Sequence, residues 1–158
     1  AGFPGIPLKI SCPHVGMPLV DSLEKRVKFL EAVVTHLGPA DVVRYHARAE
    51  EVGREPGHRE QYDVALARAV AGLSVLCEYL LPLVKIGGMA VAMKGPSGRQ
   101  EVKEAERALR ILGGEILDIV ELNLPGGDER LLIVMAKVKP TPREYPRRSG
   151  IPQRKPLV

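Results

Sequence analysis

The sequence contains few aromatic residues and few cysteines. Only 4% of its 158 residues are aromatic, none is tryptophan, and its two cysteines are Cys12 and Cys77. The cysteines lie far apart and form no CxxC motif, so the sequence indicates neither a disulfide framework nor a thiol redox motif. This cysteine usage favours a reducing, cytoplasmic compartment.

The sequence also lacks an uninterrupted hydrophobic run long enough to cross a membrane. Its most apolar stretch, residues 73–86, contains Glu78, Pro82 and Lys85, whereas a membrane-spanning helix needs about 20 consecutive apolar residues. No basic segment leads into an apolar one at the start of the sequence, so we expect neither membrane insertion nor secretion. The composition, 45% hydrophobic and 27% charged, is typical of one compact domain.

The histidines do not form a metal-binding pattern. None of the four is spaced as HxH or HxxxH, and the segment Cys12-Pro13-His14 offers only two potential ligands. We therefore predict that the protein has no metal site.

Positive charge is concentrated at the end of the sequence. The net charge of the whole chain is +4, but residues 137–158 contain seven basic residues and one acid, which gives this segment +6 and leaves −2 for the rest. Five prolines interrupt the segment from Pro140 onward. We predict a main domain over residues 1–139 and a basic, proline-rich arm over residues 140–158 that extends to meet a polyanion. The alternative is a solvated tail that only keeps the protein soluble.

Short β-branched runs alternate with longer amphipathic segments along the sequence. This alternation predicts a mostly parallel, doubly wound sheet with helices on both faces, because right-handed crossovers place the helices there. The predicted strands are residues 17–21, 41–46, 62–67, 89–94, 115–122 and 131–138, and the predicted helices are residues 22–37, 48–52, 73–84 and 99–112.

The last two predicted strands break this pattern. Only the short turn at residues 124–130 joins them, which leaves no room for a crossover helix, so they are expected to form an antiparallel hairpin. A parallel α/β sheet that ends in an antiparallel hairpin is the outline of the Rossmann-like class I fold of S-adenosylmethionine-dependent methyltransferases. The hairpin disfavours a nicotinamide-dependent oxidoreductase.

The first glycine loop and the first acid after it have the spacing of a nucleotide site. Asp21 follows Gly2 by 19 residues, close to the roughly 20 that separate a cofactor loop from a ribose-binding acid in Rossmann-like units. The alternative is that Asp21 caps the next helix, since Asp-Ser-Leu-Glu resembles a capping box with Glu24. Both roles are compatible if Ser22 provides the cap.

Seven segments, in order and over nearly the whole chain, resemble one family, the bacterial 16S ribosomal RNA guanine-N7 methyltransferases known as RsmG or GidB. These segments are AGFPGIPLKI, LVDSLEKRVKFL, HARAEE, YDVALARAVAGL, LPLVKIGGMAVAMKG, LGGE and PTPREYPRRSGIPQRKPL. In that family a strand with Asp-x-Gly-Ser/Thr-Gly and a helical region precede AGFPG, whereas this sequence begins at Ala1. We therefore expect the first, central strand to be absent and its neighbours to have unpaired edges.

The resemblance implies that the protein binds S-adenosylmethionine and methylates N7 of a guanine in 16S ribosomal RNA. The expected cofactor-binding residues are Gly2 and Phe3 in the loop, Asp21 at the ribose, Ser22 beside it, Ala49 and Glu50 at the adenine, and Arg68. Ribosomal RNA or the small ribosomal subunit is the expected partner, and we expect a cytoplasmic monomer. The alternative is a non-catalytic, ribosome-associated binding module that keeps the methyltransferase-like fold.

Arg68 is the candidate positioning residue, because it follows a predicted strand at the end where open α/β sheets place their ligands. It would face the methionine carboxylate or the RNA, whereas the alternative is an ion pair with a neighbouring carboxylate. Lys94 ends the next strand and is a candidate phosphate contact or a solvated lysine. In the arm, the candidate RNA-binding residues are Arg143, Arg147, Arg148, Arg154 and Lys155.

The residues around Arg68 also bear on the target atom. Guanine N7 has a free lone pair and no proton to lose, so its methylation requires alignment and no general base. The sequence after the predicted strand is Arg68-Ala69-Val70, which differs from the Asn/Asp-Pro-Pro-aromatic motif usual in methyltransferases that act on exocyclic amines. A cytosine-C5 enzyme needs a nucleophilic cysteine, and Cys77 lies in the apolar segment LSVLCEYLL, which is typical of a packed thiol.

Overall fold

The computed structural model describes residues 2–38 and 42–158. The chain divides into two compact units, of which the first ends at Ala49 and the second begins at Glu50. Within the described residues, no helix is long and apolar enough to cross a membrane.

In its described residues, 2–38 and 42–49, the first unit contains two helices and a two-stranded parallel sheet. In chain order these elements are α1 (Gly5–Ser11), β1 (Leu19–Asp21), α2 (Glu24–Leu37) and β2 (Arg44–His46). A small core of Ile6, Leu30, Val34 and Val42 holds them together. Helix α2 ends at Gly38, which has the left-handed backbone (φ +70°) that glycine adopts without strain.

The second unit contains a four-stranded sheet of order β3-β4-β6-β5. Strands β3 and β4 are parallel, whereas β6 runs antiparallel to both β4 and β5, so the predicted terminal hairpin is confirmed. The elements are α3 (Ala49–Val52, starting at the unit boundary), β3 (Tyr62–Arg68), α4 (Leu73–Leu80), β4 (Val84–Lys94), α5 (Gly98–Glu104), α6 (Glu106–Leu112), β5 (Gly114–Asn123), β6 (Glu129–Lys137) and α7 (Ile151–Arg154).

Helix α4 forms the centre of this unit, since all eight of its residues are buried. The sequence predicted a longer helix, to residue 84, but Pro82 lacks the N–H and the space that a continuing helix requires. The chain instead enters β4 at Val84, five residues earlier than predicted. Gly87 and Gly88 lie within this strand. A Cβ atom on Gly88 would lie 2.6 Å from the carbonyl oxygen of Asp63 on β3, so the glycine permits this close approach.

Other predicted boundaries differ by a few residues. The predicted helix 99–112 is two helices that meet at the fully buried Ala105, whose N–H is shared among several carbonyl oxygens of the preceding turn. Strands β1 and β2 are shorter than predicted and begin at Leu19 and Arg44. The first residue of the predicted strand 41–46 lies outside the described residues.

The C-terminal segment, residues 140–158, differs most from its prediction. It was expected to extend as an arm, but Thr141, Pro146, Pro152 and Leu157 are buried in the second unit. Two of the five prolines that suggested an extended chain, Pro146 and Pro152, are therefore packed residues. The segment is part of the core of its unit and is not an independent appendage.

Candidate functional site

Asp21 lies at the carboxyl end of β1, and its carboxylate forms a local turn. Its Oδ1 accepts a hydrogen bond from the backbone N–H of Leu23 (2.9 Å), and its Oδ2 lies 3.7 Å from the guanidinium of Arg26. The helix cap expected from the capping-box pattern is not formed, because Leu23 occupies the N-cap position of α2 without a side-chain bond. The side chain is still partly accessible at the strand end.

His46 is the neighbour of Asp21 at the end of β2, and the sequence analysis did not assign it to the site. The two residues are partners in the parallel register of β1 and β2. The His46 ring nitrogen Nε2 lies 3.3 Å from the backbone oxygen of Ser22, so Ser22 meets the imidazole through its main chain. The strand-end rule, applied to both strands, predicts this position of His46 beside Asp21.

The glycine loop packs closely against β1 and α2 in the first unit. Gly2 has φ +80°, and a Cβ atom there would lie 2.8 Å from both Ile6 and Leu30, so a larger residue would disrupt this packing. A Cβ atom on Gly5 would overlap the side chain of Leu19 on β1. Phe3 remains exposed between these two fixed points, so its ring can contact a ligand.

In the second unit, Glu50 is buried on α3 and contacts the C-terminal segment. Its Oε1 accepts a hydrogen bond from the backbone N–H of Gly150 (2.8 Å), and it is only 3% exposed. Ala49, the residue before it, is half-buried. The C-terminal segment therefore fixes the carboxylate that was expected to meet adenine.

Arg68 is exposed at the carboxyl end of β3, next to a loop that Lys94 and Glu101 hold. Lys94 donates to Glu101 Oε2 (2.7 Å) and to the carbonyl oxygen of Ala71 (2.9 Å). The same carboxylate oxygen accepts the backbone N–H of Leu73 (2.7 Å), at the start of α4. Lys94 was predicted to contact phosphate, but the structure gives its charge a carboxylate partner.

Arg147 also has a partner that the sequence did not indicate. Its backbone N–H and its Nη2 each lie 2.7 Å from an oxygen of the fully buried Glu78 on α4. Hydrogen bonding to this carboxylate raises the pKa of Arg147 above its usual value. The other four predicted RNA-binding residues of the segment, Arg143, Arg148, Arg154 and Lys155, are exposed.

Two arginines of the loop after α3 bind the same segment, and neither was predicted. Arg59 donates to the carbonyl oxygens of Thr141 and Tyr145, each at 2.7 Å. Arg54 donates through Nε to the carbonyl oxygen of Pro146 (2.7 Å). Nothing in the local sequence distinguishes these arginines from solvated ones, because their partners in the C-terminal segment lie more than 80 residues away.

Cys77 and Lys137 are buried groups of the second unit. Cys77 is fully buried, which confirms the expected packed thiol, and this burial raises its pKa to about 12. Burial lowers the pKa of Lys137, although Glu60 lies 3.1 Å from its ammonium and opposes the shift. Its ammonium also donates to the carbonyl oxygens of Leu81 and Leu112, near the ends of α4 and α6.

Over residues 2–38 and 42–158, no three histidine, cysteine or acidic side chains cluster as metal ligands.

Solved structures with low sequence identity share the fold. A 16S rRNA (adenine(1408)-N(1))-methyltransferase mutant from Catenulisporales acidiphilia, determined with its cosubstrate SAM, superposes with a TM-score of 0.68 at 15% identity, covering 89% of this chain and 82% of that one. The T. Thermophilus 16S rRNA N2 G1207 methyltransferase, in complex with AdoMet and guanosine, superposes with a TM-score of 0.57 at 17% identity, covering 89% of this chain and 33% of that one. These similarities confirm the predicted class I, Rossmann-like methyltransferase fold.

Comparison of sequences identifies the family. The chain is 50% identical to a ribosomal RNA small subunit methyltransferase G from Lactobacillus johnsonii, covering 99% of this chain and 66% of the relative. It is 54% identical to the protein of the same name from Acetivibrio thermocellus, covering 100% of this chain and 65% of the relative. The chain thus spans slightly less than two thirds of the length of these relatives. The sequence model of the family described as "rRNA small subunit methyltransferase G" matches residues 1–132. The chain therefore belongs to this family.

Proposed function

We propose that the protein transfers a methyl group from S-adenosylmethionine to N7 of a guanine in 16S ribosomal RNA. The observation that carries this proposal is the identity of about half of all residues, over essentially the whole chain, with relatives named ribosomal RNA small subunit methyltransferase G. The shared fold and the strand-end residues described above are compatible with that chemistry. The proposed partner is the RNA of the small ribosomal subunit, and we propose that the protein binds it as a monomer in the cytoplasm.

The residues of the first unit fit a nucleoside cofactor. When bound, S-adenosylmethionine supplies an electrophilic methyl group on a sulfonium ion. The carboxylate of Asp21 is suited to accept hydrogen bonds from ribose hydroxyls, because it lies at a strand end and keeps lone pairs beyond those used by Leu23. The exposed ring of Phe3 is suited to contact the adenosine, and the close packing of Gly2 fixes the loop that carries it.

In the second unit, we assign alignment to Arg68 and support of its loop to Lys94. Guanine N7 needs no deprotonation, so the enzyme's own residues have to hold the two reactants in line. The exposed Arg68 guanidinium is suited to bind either the methionine carboxylate or an RNA phosphate. The pairing of Lys94 with Glu101 holds the loop after Arg68, which makes Lys94 a positioning residue.

The other proposed contacts lie on α3 and the C-terminal segment. Ala49 and Glu50 are proposed to border the adenine, with Glu50 fixed by the N–H of Gly150. Arg143, Arg148, Arg154 and Lys155 are proposed to contact RNA phosphates, because their side chains are exposed and positively charged. Arg147 is left out of this set because it pairs with Glu78.

The test uses the reactivity of the proposed product. Purified 16S ribosomal RNA, or small subunits that contain it, are incubated with the protein and S-adenosylmethionine carrying a radioactive methyl group. Methylation at N7 leaves a positively charged guanine, so borohydride reduction followed by aniline should cleave the labelled RNA at one position. Incorporation of label without such cleavage would contradict the N7 assignment.

A binding measurement distinguishes the enzyme from a non-catalytic module. Isothermal titration with S-adenosylhomocysteine should give heat if the protein binds the cofactor. Binding of RNA without heat from S-adenosylhomocysteine and without methyl transfer would favour the module. Arg68→Ala is the matched variant, since it should retain the fold while losing most methyl transfer.

A further inference from the structure

Three arginines of the second unit line one surface depression. They are Arg54 and Arg59, in the loop after α3, and Arg143, in the C-terminal segment. Among the residues that the structure describes, no carboxylate lies within ion-pair distance of any of the three guanidinium groups. Three positive charges therefore share one depression, and none of them has an ion-pair partner among the described residues.

The C-terminal segment is shaped so that Arg143 joins the other two arginines. Arg59 donates to the carbonyl oxygens of Thr141 and Pro142 on one side of Arg143 and of Tyr145 on the other. The segment therefore curves around the Arg59 guanidinium. Carbonyl oxygens satisfy hydrogen bonds but do not cancel a full charge, so Arg59 contributes its positive charge to the site.

Several donors of the cluster remain available to a ligand. Among the described residues, Arg54 donates one hydrogen bond, from Nε to the carbonyl oxygen of Pro146, and the Arg143 guanidinium donates none. Both side chains are exposed. The planar guanidinium group is suited to bidentate bonding with phosphate oxygens, and several such groups around one depression favour a phosphate over a monovalent carboxylate.

We propose that Arg54, Arg59 and Arg143 form a composite binding site for a backbone phosphate of the substrate RNA. This inference rests on the proposed function for the identity of the polymer. It assigns a binding role to two arginines outside the basic segment and explains why the segment is packed instead of free. A flexible arm would neutralise phosphates anywhere within its reach, whereas this site holds one phosphate in one place.

The experiment measures the affinity of the protein for a 16S ribosomal RNA fragment as a function of salt. The test variant is Arg54→Ala with Arg143→Ala, which leaves the structural bonds of Arg59 in place. The matched control is Lys103→Ala with Arg110→Ala, which removes the same charge from exposed positions on α5 and α6. We expect the test variant to bind about tenfold more weakly and its slope of log affinity against log salt to be smaller by about one to two units. The control should stay within about threefold of the parent protein, with an unchanged slope.

Further variants and measurements identify the ligand and the basis of its binding. Arg54→Lys with Arg143→Lys should retain the salt slope, because the charges remain, but should bind more weakly because the bidentate geometry is lost. Equal salt slopes for the test and control variants would overturn the proposal. A melting temperature raised by inorganic phosphate in the parent but not in the test variant, with RNA binding unchanged, would assign the site to free phosphate and also overturn it. A parent protein that binds the RNA through these arginines without methylating it would contradict only the proposed function.

Discussion

The carboxylate of Glu78 accepts both the backbone N–H and the guanidinium of Arg147, with closest distances of 2.7 Å in each case. Glu78 is fully buried in the central helix of the second unit, so this pair anchors the C-terminal segment to the core. A buried carboxylate that lost its cation would stay buried, and its charge would then be only partly compensated.

Arg147→Met is therefore expected to lower the free energy of unfolding by about 3 kcal/mol. This is the lower end of the range for broken buried pairs, because the backbone N–H would still bond to Glu78. Urea denaturation measures the change. Arg148→Met is the control, since Arg148 is exposed and its removal should change stability by no more than about 0.5 kcal/mol. Equal stability of the two variants would show that the ion pair does not hold the segment.

Asp21→Ala should weaken binding of S-adenosylhomocysteine by about tenfold to a hundredfold. Hydrogen bonds to a charged group contribute about 1.5–3 kcal/mol, and the carboxylate is proposed to bind the ribose. Asp21→Asn is the informative companion, because its amide oxygen can still accept the N–H of Leu23 while the negative charge is lost. Calorimetric titration and melting curves should show weaker binding for both variants with little change in stability. Unchanged affinity combined with a lower melting temperature for the alanine variant would instead mean that Asp21 only stabilises the turn.

Glu101→Gln is expected to slow methyl transfer by about tenfold to a hundredfold without changing cofactor affinity. The substitution weakens the contact with Lys94 and displaces the loop after Arg68, and small misalignments of reactants have effects of about this size. Single-turnover rates at saturating RNA provide the measurement. Glu104→Gln, an exposed change on the same helix, should leave the rate unaltered. A loss of cofactor affinity in Glu101→Gln would show that the loop contributes to binding and not only to alignment.

The proposed reaction should not depend on a general base. Glu50→Gln, Asp63→Asn and His46→Gln should leave the single-turnover rate within about tenfold of the parent protein, well short of the 100-fold or larger loss that removal of a base produces. The hydrogen bond from Lys85 lowers the pKa of the exposed Asp63, so its carboxylate is charged at neutral pH and a poor proton acceptor. The rate should be nearly flat between mildly acidic and mildly basic pH, and Arg68→Ala should be the damaging change. A sigmoidal rise with pH that disappears in one of the three variants would mean that another atom is methylated.

Cys77 should resist thiol reagents until the protein unfolds. With a pKa of about 12, only about one thiol in ten thousand is ionised at pH 8, and the side chain is fully buried. A chromogenic disulfide reagent should therefore label only Cys12 rapidly in the native protein and both cysteines in urea. Cys12→Ala should abolish the rapid phase. Rapid labelling in that variant would show that Cys77 is accessible.

Much of the architecture could be predicted from the sequence because the signals are local. Alternating strand and helix patterns, and a turn too short for a crossover, required a parallel sheet that ends in an antiparallel hairpin. Asp21 was correctly placed at a strand end, and Cys77 was correctly identified as packed. The end of α4 was predicted too late although Pro82 is itself a local signal that stops a helix. The start of β4 was misplaced because Gly88 approaches the carbonyl oxygen of Asp63 on the neighbouring strand, which no local pattern reveals.

The partners of the charged residues, in contrast, were decided only by the tertiary structure. An arginine in a basic run has the same local pattern whether it contacts RNA or a buried acid, and Arg147 pairs with Glu78, which lies 69 residues earlier. Lys94 forms an ion pair with Glu101, and Arg59 donates hydrogen bonds to carbonyl oxygens of the distant C-terminal segment. The sequence determines which residues carry charge and roughly where the strands end. Folding determines which charges are compensated, because compensation depends on distances of a few ångströms between residues far apart in the chain.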